Sequence, residues 1–250
     1  MKRKLVATLA CRNQGSRLYG KPLQNLDTEK SVRIIDNIID GLNSLDCIDS
    51  IVLGISEGED NEVFKTVAKQ KGIEYIVGDQ IDVLHRLIKC AEKVDGTDVF
   101  RVTSESPFLH HKAVDQLWEQ HFIQNNDATF YDDIIDGCGF EFIRLSALQK
   151  SHLKGEEKHR SELCTLYIRE HLDEFKVQKI KAPDHLNRKD LRLTVDNPED
   201  LVICRKIYNE FKNQAPQINL EDIITYLDQH PDLKDLTYPL TIEGYNTMYI

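Results

Sequence analysis

Apolar positions recur with two periods along the chain. Leu5-Val6-Ala7-Thr8-Leu9-Ala10, Ile51-Val52-Leu53-Gly54-Ile55, Ile73-Glu74-Tyr75-Ile76-Val77 and Asp98-Val99-Phe100-Arg101-Val102-Thr103 are short apolar runs that read as strands, the first of them buried. Between them the period lengthens to i, i+3, i+4: residues 32–40 closed by Gly41, residues 61–71 closed by Gly72, and Val83, Leu84, Leu87, Ile88 and Ala91. These are helices that each lay one face on a sheet. Strand and helix alternating four times predict an α/β fold whose mostly parallel sheet is covered on both sides, with any ligand at the carboxyl ends of the strands.

From about Asp127 the rhythm changes. Ala128-Thr129-Phe130-Tyr131 and Gly139-Phe140-Glu141-Phe142-Ile143 read as short strands, residues 156–171 as a charged helix, and residues 175–180 as another strand. The expectation is a mixed α+β extension at about 127–190 that covers the pocket or pairs subunits. Helices over 198–211 and 220–229 follow, and residues 239–250, without clear periodicity, read as a flexible end.

A length of 250 residues suits one sizeable domain. Its formal charge of −10 disfavours a nucleic-acid polymer as partner, yet a small anion needs only a local positive field. The basic start precedes an apolar run too short for a signal peptide, and no stretch approaches the roughly 20 apolar residues of a membrane span. A cytoplasmic location without membrane contact is expected. Six cysteines, none in a C-x-x-C pair, read as free thiols.

That local field is written between residues 11 and 23. Arg12, Arg17 and Lys21 stand in one loop with Gly15, Ser16 and Gly20, so backbone N–H groups can approach a polyphosphate while side chains neutralise it. A Walker A loop would end in Ser or Thr, whereas Pro22 follows Lys21 here, which excludes that kinase or ATPase class. Asp196 begins a second candidate stretch, which is also a good helix start, with Asn197 as cap, Pro198 at the first position and acids in the first turn. Arg86 is placed to reach a nucleotide and His85 to face solvent. His110 and His111 are expected to be exposed, since adjacent helical residues point apart.

Arg12-Asn13-Gln14-Gly15-Ser16-Arg17-Leu18-Tyr19-Gly20-Lys21, Asp82-Val83-Leu84-His85-Arg86, Arg101-Val102-Thr103-Ser104-Glu105-Ser106-Pro107 and Leu191-Arg192-Leu193-Thr194-Val195-Asp196-Asn197-Pro198-Glu199-Asp200-Leu201 stand in an order that resembles a known family. It is that of the cytidylyltransferases of spore-coat polysaccharide biosynthesis protein F type, relatives of the CMP-Kdo and CMP-acylneuraminate synthetases. The resemblance covers roughly residues 4–230. It implies a three-layer, Rossmann-like (GT-A-like) nucleotidyltransferase fold over residues 1–250, working as a homodimer. It also implies that CMP passes from CTP to a 2-keto-3-deoxy sugar acid for surface glycan synthesis, with Mg²⁺ as cofactor.

Carried onto this chain, the resemblance implies Arg12 and Lys21 as catalytic cations. Arg12, Gly15, Ser16, Arg17, Lys21, Arg86 and Arg101 would bind nucleotide, Glu141, Arg160 and Glu162 the acidic sugar, and Glu105 and Asp196 the metal. Three positions depart from the family: Glu105 replaces an aspartate, Gly139 stands where relatives often carry Asp, and Leu163 where they carry His. These leave open a different nucleotide, a phosphorylated or phosphonate acceptor, or a nucleotide-binding homologue with weakened turnover.

Overall fold

A computed structural model describes residues 3–15 and 17–247; Ser16 lies outside them. Strand β1 (Leu5–Cys11) leads through the cation loop into a hairpin, β2 (Asn25–Asp27) and β3 (Val32–Arg33). Helix α1 (Ile34–Asn43), β4 (Ser50–Ser56), α2 (Val63–Lys71), β5 (Glu74–Gly78), α3 (Val83–Lys93) and β6 (Asp98–Arg101) complete the alternating half. Then come α4 (Val114–Ile123), β7 (Ala128–Asp133), β8 (Phe140–Arg144), α5 (Leu145–Lys154), α6 (Leu166–Glu170) and β9 (Val177–Lys181). Helices α7 (Pro198–Phe211), α8 (Leu220–Gln229) and α9 (Pro231–Thr247) close the described chain.

Seven strands form one sheet in the order β5-β4-β1-β6-β8-β7-β9. All its pairings are parallel except those of β8, which runs against both β6 and β7. The expected mixed region at 127–190 therefore supplies strands β7 to β9 to the same sheet. Period-two alternation divides the core in two. Leu5, Ala7, Leu9, Phe100 and Phe142 face the layer that holds α1, α2, α7 and α8, while Val99, Phe130 and Ile143 face α3, α5 and α6. The result is a three-layer α/β arrangement, as the alternation predicts.

Several expectations are corrected. The first helix begins at Ile34, because Val32 and Arg33 pair in β3, and runs through Gly41, where glycine makes room for a ring instead of ending the helix: a Cβ there would lie 2.6 Å from His111 Nε2. The fourth strand ends at Arg101. Residues 156–171 split into a 3₁₀ turn, Glu157–Arg160, and the short α6, since the His159 Nδ1 takes the Glu156 N–H at 2.8 Å and its ring is buried. Helices α4 and α5 lie where the sequence shows no clear apolar periodicity. Their buried faces are Val114, Leu117 and His121, and Ala147, Leu148 and Ser151, too polar or too small to show. Of the end expected to be flexible, residues 239–247 are helical and residues 248–250 lie outside the described residues.

Candidate active site

The loops after β1 and β6 lie side by side because those strands are parallel neighbours. Hydrogen bonds draw the cation loop closed: Gly20 N–H donates to Asn13 O at 2.8 Å, and Asn13 N–H to Asn61 Oδ1 at 2.8 Å. Gly20 has φ +61°, a left-handed conformation that glycine adopts without steric cost, and the turn into the 3₁₀ segment Lys21–Leu23 follows. Gly15 is equally constrained, since a Cβ there would meet Leu18 O at 2.4 Å.

A third segment joins them from far along the sequence. Leu193 N–H donates to Asp136 O at 2.8 Å and Val195 N–H to Glu105 O at 3.0 Å, which sets Asp196 beside Glu105. Asp196 accepts from Lys21 Nζ at 2.5 Å and lies 3.4 Å from an Arg17 nitrogen. Burial pushes its carboxyl up, but Lys21, Arg192 and Arg17 outweigh that and hold it below its ordinary pKa. Glu105 goes the other way, raised by burial and by the Asp196 charge. Behind Asp196, Asp200 Oδ2 accepts the N–H groups of Asp196 and Asn197 at 3.0 and 2.9 Å. The stretch thus both starts α7 and aims Asp196.

Two arginine hubs organise the site, and neither was read from the sequence. Buried Arg192 binds three carboxylates: Asp136 at 2.6 Å, Asp200 at 3.2 Å, and Asp196 through a short contact. Arg169 forms an ion pair with Asp132 at 2.6 Å and donates to Glu141 at 2.7 Å while covering the Phe130 ring. Their partners lie up to 56 residues away, so no local signal marks them.

The predicted residues fall into distinct places. Arg12, Arg17 and Lys21 line a cavity of about 240 Å³ with Arg86, Glu105 and Asp196. It opens into a larger one of about 970 Å³ that shares Arg12, Arg17, Arg101, Glu105 and Asp196 and adds Asp136 and Glu141. Arg86 is buried, and its Nη1 donates to Gly54 O at 2.9 Å, so it braces the end of β4 beneath the smaller cavity. Glu141 is also buried and accepts from Arg101, Thr165 and Arg169 at 2.7–2.9 Å. Burial alone would raise its pKa; the two arginines keep it low, and it orients Arg101 on the wall. Glu162 sits on the rim, 3.2 Å from Arg12. Arg160 does not line either cavity; its Nη2 donates to His152 O at 3.3 Å.

Of the histidine expectations, exposure fails for His110 and His111 and holds for His85, which keeps part of its surface in solvent. His111 is buried under α1, which pushes its pKa down to about 4, and His110 is hydrogen-bonded to Tyr131 Oη at 2.9 Å. His85 stacks on His152. Gly139 has no room for the aspartate of the family pattern, since a Cβ would meet Tyr131 O at 2.4 Å; Asp132 and Asp136 stand on the large cavity's wall instead. The cysteines are free, and among the described residues no helix is long and apolar enough to cross a membrane.

Comparison with known proteins agrees with this arrangement. Over 229 residues, 90% of this chain and 94% of the relative, it is 26% identical to the spore coat polysaccharide biosynthesis protein SpsF of Bacillus subtilis. A cytidylyltransferase from Leptospira borgpetersenii superposes with a TM-score of 0.82 at 18% identity, covering 93% of this chain and 96% of that one. A CMP:2-keto-3-deoxy-manno-octonic acid synthetase solved with CTP gives 0.62 at 13% identity, over 83% and 99%. The cytidylyltransferase family model matches residues 7–238, from within β1 to within α9; with every loop of the cavity inside that span, the chain belongs to the cytidylyltransferase family and is a nucleotidyltransferase.

Proposed function

We propose that the protein transfers the cytidylyl group of CTP to the hydroxyl of a 2-keto-3-deoxy sugar acid, releasing pyrophosphate, for surface polysaccharide synthesis in the cytoplasm. One observation carries the reading: a small cavity walled by three cations opens into a larger one carrying Arg101 and Arg192, with Glu105 and Asp196 at the junction. The small cavity suits a triphosphate. The larger one, with Arg12, Arg17 and Arg101 on its wall, suits an acidic acceptor. The SpsF name supports the pathway, and the nucleotide choice rests on the family. Leu153 and Leu172, 84% and 47% exposed, give the region at 127–190 apolar surface for the homodimer that belongs to the same proposal.

As the acceptor oxygen bonds to the α-phosphorus, the α–β bridging bond breaks and negative charge gathers on the leaving pyrophosphate. Arg12, Arg17 and Lys21 face that charge, and preorganised cations in a partly closed site act at the point where charge develops. Asp136, on the wall of the acceptor cavity, is the base we assign to the attacking hydroxyl. Glu105 and Asp196 fit Mg²⁺: they are adjacent oxygen donors, and their crowding, which raises the Glu105 pKa, is relieved by a divalent cation. Bound there, the ion would supply Lewis-acid neutralisation of phosphate charge.

The test is pyrophosphate release from each of the four nucleoside triphosphates with Mg²⁺ and a panel of sugar acids and phosphonates. Release with CTP and a sugar acid, reduced about 10²–10³-fold in Lys21→Ala, is expected. Release only with a phosphonate, or only with another nucleotide, would replace the acceptor or nucleotide assigned here.

A further inference from the structure

Beside the large cavity, but outside it, three side chains converge that the transfer reaction does not use. Asp82 caps α3, its Oδ1 accepting the His85 N–H at 2.8 Å. Its other oxygen, Oδ2, lies 2.7 Å from His152 Nε2, which comes from α5. The His85 and His152 rings stack with centroids 5.1 Å apart and planes 25° off parallel. One ligand atom from each residue lies within 4.8 Å of the other two.

We propose that Asp82, His85 and His152 bind a divalent transition metal of the zinc type. Two imidazoles and one carboxylate are borderline donors that select Zn²⁺, Co²⁺ or Ni²⁺ over Mg²⁺. The carboxylate is already divided as such a site requires: the helix N-terminus fixes Oδ1, and Oδ2 is aimed at the other ligands. Tetrahedral Zn²⁺ holds its ligand atoms about 3.4 Å apart, so with every pair within 4.8 Å no pair has to close by more than about an ångström and a half.

The position gives the site a consequence. Gln80, Ile81 and Val83, flanking Asp82, form one rim of the large cavity, and Ser161 to Leu163 form another. Arg160, next to the second rim, holds the His152 carbonyl. A metal here would tie both rims together through α3 and α5.

The test uses the full chain, free of a histidine tag and stripped with EDTA, titrated with Co²⁺ and then Zn²⁺ without nucleotide. One equivalent of Co²⁺ is expected to give visible d–d absorption that Zn²⁺ bleaches. Affinity should fall at least about tenfold in His152→Ala, His85→Ala and Asp82→Asn and stay unchanged in Glu105→Gln. Asp82→Asn retains a capping oxygen, and His85→Ala leaves both the cap and the Asp82–His152 pair, so loss of binding there is not loss of fold; melting temperatures in EDTA verify this. Equal Co²⁺ titrations in wild type and His85→Ala, or a signal lost only in Glu105→Gln, would overturn the proposal and leave an ion pair with a stacked ring.

Discussion

Arg192 concentrates the electrostatics of the site in one side chain. Three carboxylates share its guanidinium, so Arg192→Ala strands buried negative charge, and we expect a loss of about 3–5 kcal/mol in urea unfolding. Arg192→Lys should recover only part, because a point charge cannot serve three partners at fixed angles. Asp136 carries the strain of that sharing: burial, against the pull of Arg192 and with Asp196 and Asp200 nearby, lifts its pKa from 3.8 to about 6. The folded state thus holds a proton that the unfolded chain has released, and the stability this confers declines as pH rises from about 4 to about 6 and is gone above it. Taken alone the effect is about 3 kcal/mol. Asp136→Asn should flatten that segment, so the variant's unfolding free energy gains on the wild type's between pH 4 and 6.5. A parallel pH dependence in the two proteins would refute the assignment.

At the scale of elements, the connection from β7 to β8 decides whether Asp136 and the Asp196 segment meet. Gly137 there has φ +91°, and a Cβ would lie 2.6 Å from the backbone of Leu193 and Thr194. Gly137→Ala should therefore cost about 2–4 kcal/mol in thermal unfolding and lower turnover as well, by moving Asp136 off Arg192. Elements were legible from the sequence where burial is apolar and regular, as in β1, β4, β6, α3 and α7. They were not where the buried face is polar. In α9 the core-facing positions are Leu233, Thr237 and Thr241, at a four-residue spacing, so the helical stripe reads as hydrophilic, and Pro239 inside the helix suggests a break. That helix brings Gly244 against the Arg192 guanidinium and Tyr245 Oη to the Asp136 N–H at 3.0 Å, closing a wall that the sequence left open. The cation loop and Asp196 were visible because each is a contiguous stretch, whereas Asp136, Arg169 and Arg192 acquire their roles from partners in other elements.

In the whole molecule β1, β5, β6 and β7 run the same way, and the loops at their carboxyl ends line the large cavity. The loop proposed to hold phosphate and the residue proposed to hold metal are bonded to each other: Lys21 and Asp196, each about one-fifth exposed, sit 2.5 Å apart. A phosphate that draws Lys21 away uncovers Asp196, and a cation on Asp196 frees Lys21. The two ligands must therefore bind cooperatively, each raising the other's affinity by the same factor, on the order of 5–150-fold. Calorimetric titration of CTP with and without Mg²⁺ should show it, and Lys21→Ala should erase most of the difference. Under the proposed function the same latch would discriminate in time as well as in affinity: once CTP is cleaved, departure of pyrophosphate would let Lys21 and Asp196 pair again, so the enzyme would reset itself and resist capture by either fragment alone.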